Sequence, residues 1–209
     1  MYRRQIEVIG KQNQNKLKSK SVLIVGSGGL GNIIATSLSC IGLRKIYLID
    51  YDTIEIHNLH RQFQFCLGDI GKYKSEVLAK KINRCNDTEI IFFTEEFKSD
   101  IDLSVDLVLD ASDNFEVRKE IDKFAKFKNI PWIYASVEEL RGQVGVFKDT
   151  PFDVFATKTH EVKGQLPPMV NLVGSLSSML GLKCLVGECE EVLYYIDFQK
   201  DLEIKKFRF

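Results

Sequence analysis

The run SVLIVGSGGLGNIIATSLSCIGLRKIYLIDYD, residues 21–52, places a short β-favouring stretch directly before Gly26, Gly28 and Gly31, and its second apolar stretch ends in the acid Asp50. Few folds admit a strand that enters a glycine turn and leaves it as a helix. The spacing G-x-G-x-x-G, with a carboxylate about two dozen residues on, is the fingerprint of nucleotide binding in doubly wound α/β sheets. Glycine there permits positive φ and close backbone approach, so N–H groups and the helix dipole can face a phosphate. Asp50, at the end of the second strand, is placed to accept hydrogen bonds from ribose hydroxyls. A tight strand-to-helix turn with no ligand is the bland reading of the glycines taken alone.

The pattern continues along the chain. Strands are predicted at 21–25, 45–50, 89–94, 107–110, 132–136 and 143–147, and helices at 5–20, 30–41, 72–85 and 115–127. Strands alternating with helices imply parallel pairing through right-handed crossovers, with ligands outside the strands' carboxyl ends. Beyond residue 144 the pattern changes to a polar stretch, an apolar helix at 169–186 and a hairpin of 192–198 with 202–209. The predicted fold class is therefore α/β: a Rossmann-like, mostly parallel sheet flanked by helices, with a C-terminal antiparallel extension. A single domain over 1–209 is expected, with a helical lead at 1–20 and a long loop over the site at 148–168.

Composition narrows the partners. Lys plus Arg and Asp plus Glu number 29 each, so no global field draws the chain to nucleic acid or to an anionic membrane, and phosphate-binding charge must be local. The apolar run at 169–187 contains Asn171, several serines and Lys183, which reads as a buried helix, not a membrane span. The N-terminus carries charge without the apolar run of a signal peptide, and a cytoplasmic location is expected. The five cysteines form no C-x-x-C pair and suggest no disulfide framework.

Local cations are what distinguish this chain from a plain dehydrogenase. Directly after Asp50 comes YDTIEIHNLHRQFQF, which packs Asn58, Arg61 and Gln62 into five positions, and Lys74 follows at the start of the next helix. A guanidinium fork suits bidentate contact with phosphate oxygens, and Lys74 could reach the same group. In LVLDASDN, Asp110 ends a strand and Asp113 with Asn114 turns toward a helix. A carboxylate there is the kind of ligand Mg²⁺ accepts beside polyphosphate, though a helix cap explains the Asp-Asn pair equally well.

These motifs resemble the ThiF/MoeB/HesA family of ubiquitin-activating-enzyme-like adenylyltransferases, and the ThiF-type sulfur-carrier enzymes within it. In order they are YRRQI (2–6), GSGGLG (26–31), LIDYDTIEIHNLHRQ (48–62), GKYKSEV (71–77), LVLDASDN (107–114) and GQVGVF (142–147). The resemblance implies ATP with Mg²⁺. It casts Gly26, Gly28, Gly29 and Gly31 as the phosphate turn and Asp50 with Asp52 beside the ribose. Asn58, Arg61, Gln62 and Lys74 become the phosphate-binding set, and Asp113 the magnesium ligand. Arg4 resembles the arginine that reaches a neighbouring subunit's ATP, which implies a homodimer. Arg4, Arg61, Lys74 and Asp113 would then form the catalytic group. The implied reaction is adenylation of the C-terminal carboxylate of a small ubiquitin-like protein ending in Gly-Gly, a sulfur carrier for thiamine or molybdenum cofactor synthesis, with release of pyrophosphate.

The chain also departs from that family. Many relatives hold a structural zinc through two C-x-x-C pairs, and both are missing here, so no zinc is expected. Where some relatives have a cysteine in the crossing loop, this chain has His160, which implies adenylation without a loop thioester. The lack of a rhodanese-like extension implies a separate sulfur donor protein. Two other functions are compatible with part of the pattern. An NAD- or FAD-linked oxidoreductase uses the glycines and Asp50 but leaves the cations unexplained, and a non-catalytic scaffold for a ubiquitin-like partner would have no need of Lys74 or Asp113.

Overall fold

A computed structural model describes residues 1–83, 87–152 and 164–209. His160 and Cys85 fall outside them, as does most of the long loop expected at 148–168. The chain begins with helix α1 (Arg3–Leu17), followed by β1 (Ser21–Val25), α2 (Gly29–Ser39) and β2 (Lys45–Ile49). Short 3-10 turns at Ile56–Asn58 and Leu67–Asp69 lead into α3 (Lys74–Ile82), β3 (Glu89–Phe93), β4 (Leu107–Asp110) and α4 (Phe115–Lys128). Then come β5 (Trp132–Glu138), β6 (Arg141–Phe147), α5 (Pro167–Val186), β7 (Val192–Asp197) and β8 (Glu203–Arg208).

All eight strands form one sheet in the order β3-β2-β1-β4-β5-β6-β7-β8. The first five are parallel to one another and the last four run antiparallel to their neighbours, so β5 belongs to both halves. The predicted fold class is the observed one. Every residue of β1 is buried, as a strand covered on both faces requires. Because side chains alternate, Val22 and Ile24 enter the core under α2, α3 and α5, whereas Leu23 and Val25 enter the core under α4.

The apolar helix expected at 169–186 is α5, and it begins at Pro167, which occupies the first helical position. Gly174 rests on Ile33 of α2, where a Cβ would lie 2.8 Å from that side chain. Met169, Val170 and Val173 are buried in the main core, so a helix with the length and composition of a membrane span serves here as a core helix. Differences from the predicted elements lie at their ends. Helix α1 starts at Arg3 and is kinked at Gly10, α3 starts at Lys74, and β5 and β6 each extend to a tight hairpin at Glu139 and Leu140.

One expectation about the cysteines is overturned: Cys184 and Cys189 are joined by a disulfide. The reason is local. Gly187 ends α5 in the left-handed region, with Gly187 N–H donating to the Cys184 carbonyl and Glu188 N–H to that of Lys183. That reversal brings together two thiols only five residues apart.

Candidate active site

The reversal of strand order lies between β1 and β4, and a crevice opens there at the carboxyl ends of the parallel strands. It is a cleft of about 490 Å³ that runs from the glycine turn, past Asp113, onto the antiparallel strands β6 and β7.

The glycine turn is built as the fingerprint requires. Gly26 has φ +99°, and a Cβ on it would sit 2.6 Å from the Ala111 carbonyl oxygen. A Cβ on Gly31 would lie 2.1 Å from the Gly26 carbonyl, so the third glycine lets the helix start close to the strand and does not itself line the cleft. Gly28 caps α2, and Gly29 lies beneath Arg61. Asp50 accepts from Ser27 N–H at 2.6 Å on one oxygen and from Asp52 N–H at 2.8 Å on the other. Burial pushes its carboxyl above the ordinary range, against those backbone donors and the Lys74 ammonium, which favour the charged form.

On the opposite wall the first residue of α3, Lys74, is buried with its ammonium 2.7 Å from Asp52 Oδ2. Arg61 donates from Nε to Gln165 Oε1 at 2.8 Å and from Nη1 to the His57 carbonyl at 3.1 Å. Burial lowers the Arg61 guanidinium from its usual value while the Asp113 charge raises it, and a guanidinium so placed stays charged. Gln62 is buried, yet among the described residues its Oε1 accepts no hydrogen bond. A buried acceptor left unpaired beside a phosphate-type turn is a place for a ligand donor.

Asn58 is held in the turn that carries Arg61 and Gln62. Its Oδ1 accepts from Glu55 N–H, and its carbonyl accepts from the N–H groups of Arg61 and Gln62. It builds the turn that presents those two residues and does not line the cleft.

The Asp-Asn ambiguity is resolved by division of labour. Asn114 caps α4 by accepting from Glu116 N–H at 2.9 Å, and Asp113 lines the cleft with no hydrogen bond or ion pair among the described residues. The described residues contain no group of three or more His, Cys, Asp or Glu side chains able to hold a metal ion by themselves. A single free carboxylate facing a phosphate site is the donor set Mg²⁺ uses, with water and phosphate oxygens completing its shell. Residues and cofactors therefore fit: the glycine cradle would fill with any Cβ, Gln62 Oε1 is unpaired, and Asp113 is free.

Arg4 is not part of this cleft. Its side chain is 94% exposed on α1, with Nη1 3.6 Å from Glu7 Oε2. His57 and His60 lie on the turn behind Arg61 and do not line the cleft.

Ser136, which ends a predicted strand, lines the cleft as its place at a strand's carboxyl end implied, whereas Arg118, Tyr134, Gln143 and Gln165 escaped the sequence reading. Arg118 donates to Asp110 Oδ2 at 2.9 Å and to the carbonyls of Ser112 and Ala135 at 3.0 and 3.3 Å, and its guanidinium lies 4.9 Å from the centre of the Tyr134 ring. Burial works against both charges of this pair and pushes the Asp110 carboxyl up. For Arg118 the Asp110 carboxylate more than offsets the burial, and the guanidinium stays above its ordinary value. A signal existed: residues 117, 121 and 124 form the inner stripe of α4, and 118 is an arginine on the edge of it.

Fold and cleft together define a protein of the doubly wound α/β class, with Arg61, Lys74 and the carboxylate of Asp113 facing one cleft at the point where strand order reverses. Residues 2–208 match the sequence profile of the ThiF family, and the chain belongs to that family. It is 31% identical over 199 residues to the molybdopterin-synthase adenylyltransferase of Haemophilus influenzae, covering 87% of this chain and 82% of that protein. It is 31% identical over 203 residues to the sulfur carrier protein ThiS adenylyltransferase of Escherichia coli, covering 89% and 81%. It is 33% identical over 201 residues to the adenylyltransferase and sulfurtransferase MOCS3 of Dictyostelium discoideum, covering 88% of this chain but 47% of that protein. The chain thus spans about half the length of some curated relatives it matches. Among solved structures, PaaA superposes with a TM-score of 0.83 at 22% identity, covering 99% of this chain and 72% of that one. E. coli MccB bound to ATP superposes at 0.77 and 21%, covering 94% and 65%. These two show the shared fold.

Proposed function

We propose that the chain adenylates the C-terminal carboxylate of a small ubiquitin-like sulfur-carrier protein ending in Gly-Gly, consuming ATP and releasing pyrophosphate. The observation that carries this reading is the single cleft in which the glycine turn and Asp50 face Arg61, Gln62, Lys74 and the free Asp113, and which continues onto β6 and β7. An oxidoreductase has no use for that cationic wall, and the curated relatives of similar length are named as adenylyltransferases.

A terminal carboxylate, with a reference pKa of about 3.3 to 3.7, is already ionised at neutral pH, so attack needs no general base. Its oxygen bonds to the α-phosphorus as the bond from that phosphorus to the β-bridging oxygen breaks, and pyrophosphate leaves. The difficulty is an anion approaching a polyanion. Arg61 and Lys74 lower it by meeting charge on the phosphates, and Asp50 orients the sugar. Mg²⁺ on Asp113 would supply further neutralisation of the leaving pyrophosphate.

The full site, in this reading, is shared by two copies of the chain. Arg4 is exposed and outside its own subunit's cleft, and the segment between β2 and α3 carries five exposed apolar side chains, Ile56, Phe63, Leu67, Ile70 and Tyr73, that a second copy could cover. The reading also includes a cytoplasmic setting, a separate sulfur donor, and no zinc. ATP-pyrophosphate exchange with purified protein, Mg²⁺ and candidate carriers tests it. Exchange that requires a carrier and disappears in Arg61→Ala supports adenylation, and ATP binding without exchange for any carrier sinks it.

A further inference from the structure

The cleft that must receive the acyl substrate is lined by acids: Asp50, Asp52, Glu95, Glu96, Asp113 and Glu138. A terminal carboxylate entering it needs fixed hydrogen-bond donors near the reacting phosphorus to replace its lost water. Lys74 is occupied by Asp52, and Arg61 lies over Gly29 on the phosphate side, held by Gln165 and the His57 carbonyl. Arg141, at the outer end, is engaged by Asp197 and Gln199.

Arg118 differs from Lys74 and Arg61 in its place in the cleft, and from Arg141 in burial, its side chain being 12% exposed against 42%. It stands at the carboxyl ends of β4 and β5, across Asp113 from the phosphate wall, where the cleft passes onto Tyr134, Ser136 and Gln143. Nε and Nη2 make all of its hydrogen bonds among the described residues, and Nη1, with two N–H groups, makes none. The guanidinium cannot swing away, because Asp110, two carbonyls and the Tyr134 ring face fix its plane.

We propose that Arg118 binds the terminal carboxylate of the acyl substrate through Nη1 and holds it in line with the nucleotide, an assignment that rests on the adenylation reading. Its pairing with Asp110 suits the task. A lone buried guanidinium would hold the carboxylate in a tight ion pair and blunt its nucleophilicity. One already neutralised by Asp110 aligns the carboxylate through hydrogen bonds while leaving its charge available for attack. The turn that presents Asp113 is held by Asp110, whose Oδ1 accepts from Ser112 N–H and Oγ–H while its Oδ2 accepts from Arg118, so the turn keeps its main support when Arg118 is replaced.

The test is calorimetric binding of a hexapeptide ending in Gly-Gly, as free acid and as C-terminal amide, to the full chain with Mg²⁺ and a non-hydrolysable ATP analogue. Wild type is expected to favour the acid by about ten- to a hundredfold. Arg118→Lys, which keeps a cation for Asp110 but removes the Nη1 edge, is expected to lose that preference while binding the analogue as before. In exchange assays it should raise the KM for the carrier and leave the KM for ATP unchanged. Should Arg118→Lys fail to fold, Asp110→Asn with Arg118→Gln removes the buried charge pair together and serves instead. Three outcomes overturn the assignment: no acid preference in wild type, preference retained in the variant, or a parallel loss of analogue binding. Acid preference lost on substitution, in a wild type that shows no exchange, would uphold the anchor while removing the adenylation reading.

Discussion

Gly26 has the least latitude of any residue in the cleft. Its φ of +99° and the 2.6 Å approach to the Ala111 carbonyl oppose any side chain on two independent grounds. The backbone strain alone is worth about 1 to 3 kcal/mol. Gly26→Ala is therefore expected to lower thermal stability and, by displacing the 111–114 turn, to raise the KM for ATP. A calorimetric melt and exchange kinetics on the same preparation check both. The cationic wall should behave in the opposite way. Arg61 has a neutral partner in Gln165, the Asp52 facing Lys74 is half exposed, and the partly buried Asp50 keeps its backbone donors Ser27 and Asp52, so neither alanine variant leaves a buried charge without partners. Arg61→Ala and Lys74→Ala are each expected to cut exchange by about two to three powers of ten. Their melting curves should shift by the equivalent of about 1 kcal/mol or less. These residues were legible in the sequence because the glycine turn and the string after Asp50 announce them within a few positions of one another. Gln165 was not, since it meets Arg61 from a hundred residues away and nothing in its neighbourhood marks it. Arg118 was missed for the opposite reason: its helix was read for apolar period, and the one cation among the inward positions was passed over.

The segment between β2 and α3 shows how an element with little regular structure is kept in place. Asp69, at the end of its 3-10 turn, accepts from Cys66 N–H and pairs with Lys81 on α3 and with Lys72. The Lys81 ammonium, first among these partners, holds the Asp69 carboxyl well below the usual carboxylate range. A depressed folded-state value means stability that is present above the unfolded value of about 3.9 and lost as pH falls through the folded one. Asp69→Asn is expected to cost about 1 to 3 kcal/mol at neutral pH. The gap between wild type and variant should narrow as pH falls below about 4 and close only below the depressed folded value, so urea melts at pH 7 and pH 3 should show it reduced but still open. Patterning reveals such elements unevenly. Buried strands such as β1 and β4 and the long α5 were readable because their apolar runs have one explanation. The two 3-10 turns were not, since their shape depends on side-chain bonds such as Asn58 to Glu55 and Asp69 to Cys66. The Cys184–Cys189 bond was hidden likewise, because it depends on the left-handed Gly187 that folds the end of α5 back. That bond lies at the end of α5 remote from Gln165, so its reduction is expected to lower thermal stability by about 2 kcal/mol and leave exchange unchanged. Melts and exchange assays with and without dithiothreitol check this.

At the scale of the molecule, one chain gathers most of the residues its motifs single out into one cleft and holds Arg4 apart from them. Arg61, Gln62, Lys74, Asp50 and Asp113 share a cleft, while Arg4 stands in solvent on α1. If a second copy supplies that arginine, the two sites of a symmetric dimer are composite, each with Arg61 from one subunit and Arg4 from the other. This arrangement makes a quantitative expectation that no single-chain site can meet. Arg4→Ala and Arg61→Ala should each abolish exchange as pure proteins. Mixed in equal amounts and allowed to exchange subunits, half of the dimers become hybrids. In each hybrid, the site with an intact Arg61 receives an intact Arg4 from the other subunit, and the second site lacks both. Activity should therefore return to about a quarter of the wild-type value. If Arg4 serves its own subunit, every site in the mixture lacks one arginine and nothing returns. Sedimentation of the same mixture establishes that hybrids have formed, so an inactive mixture of true dimers would remove Arg4 from the neighbour's site.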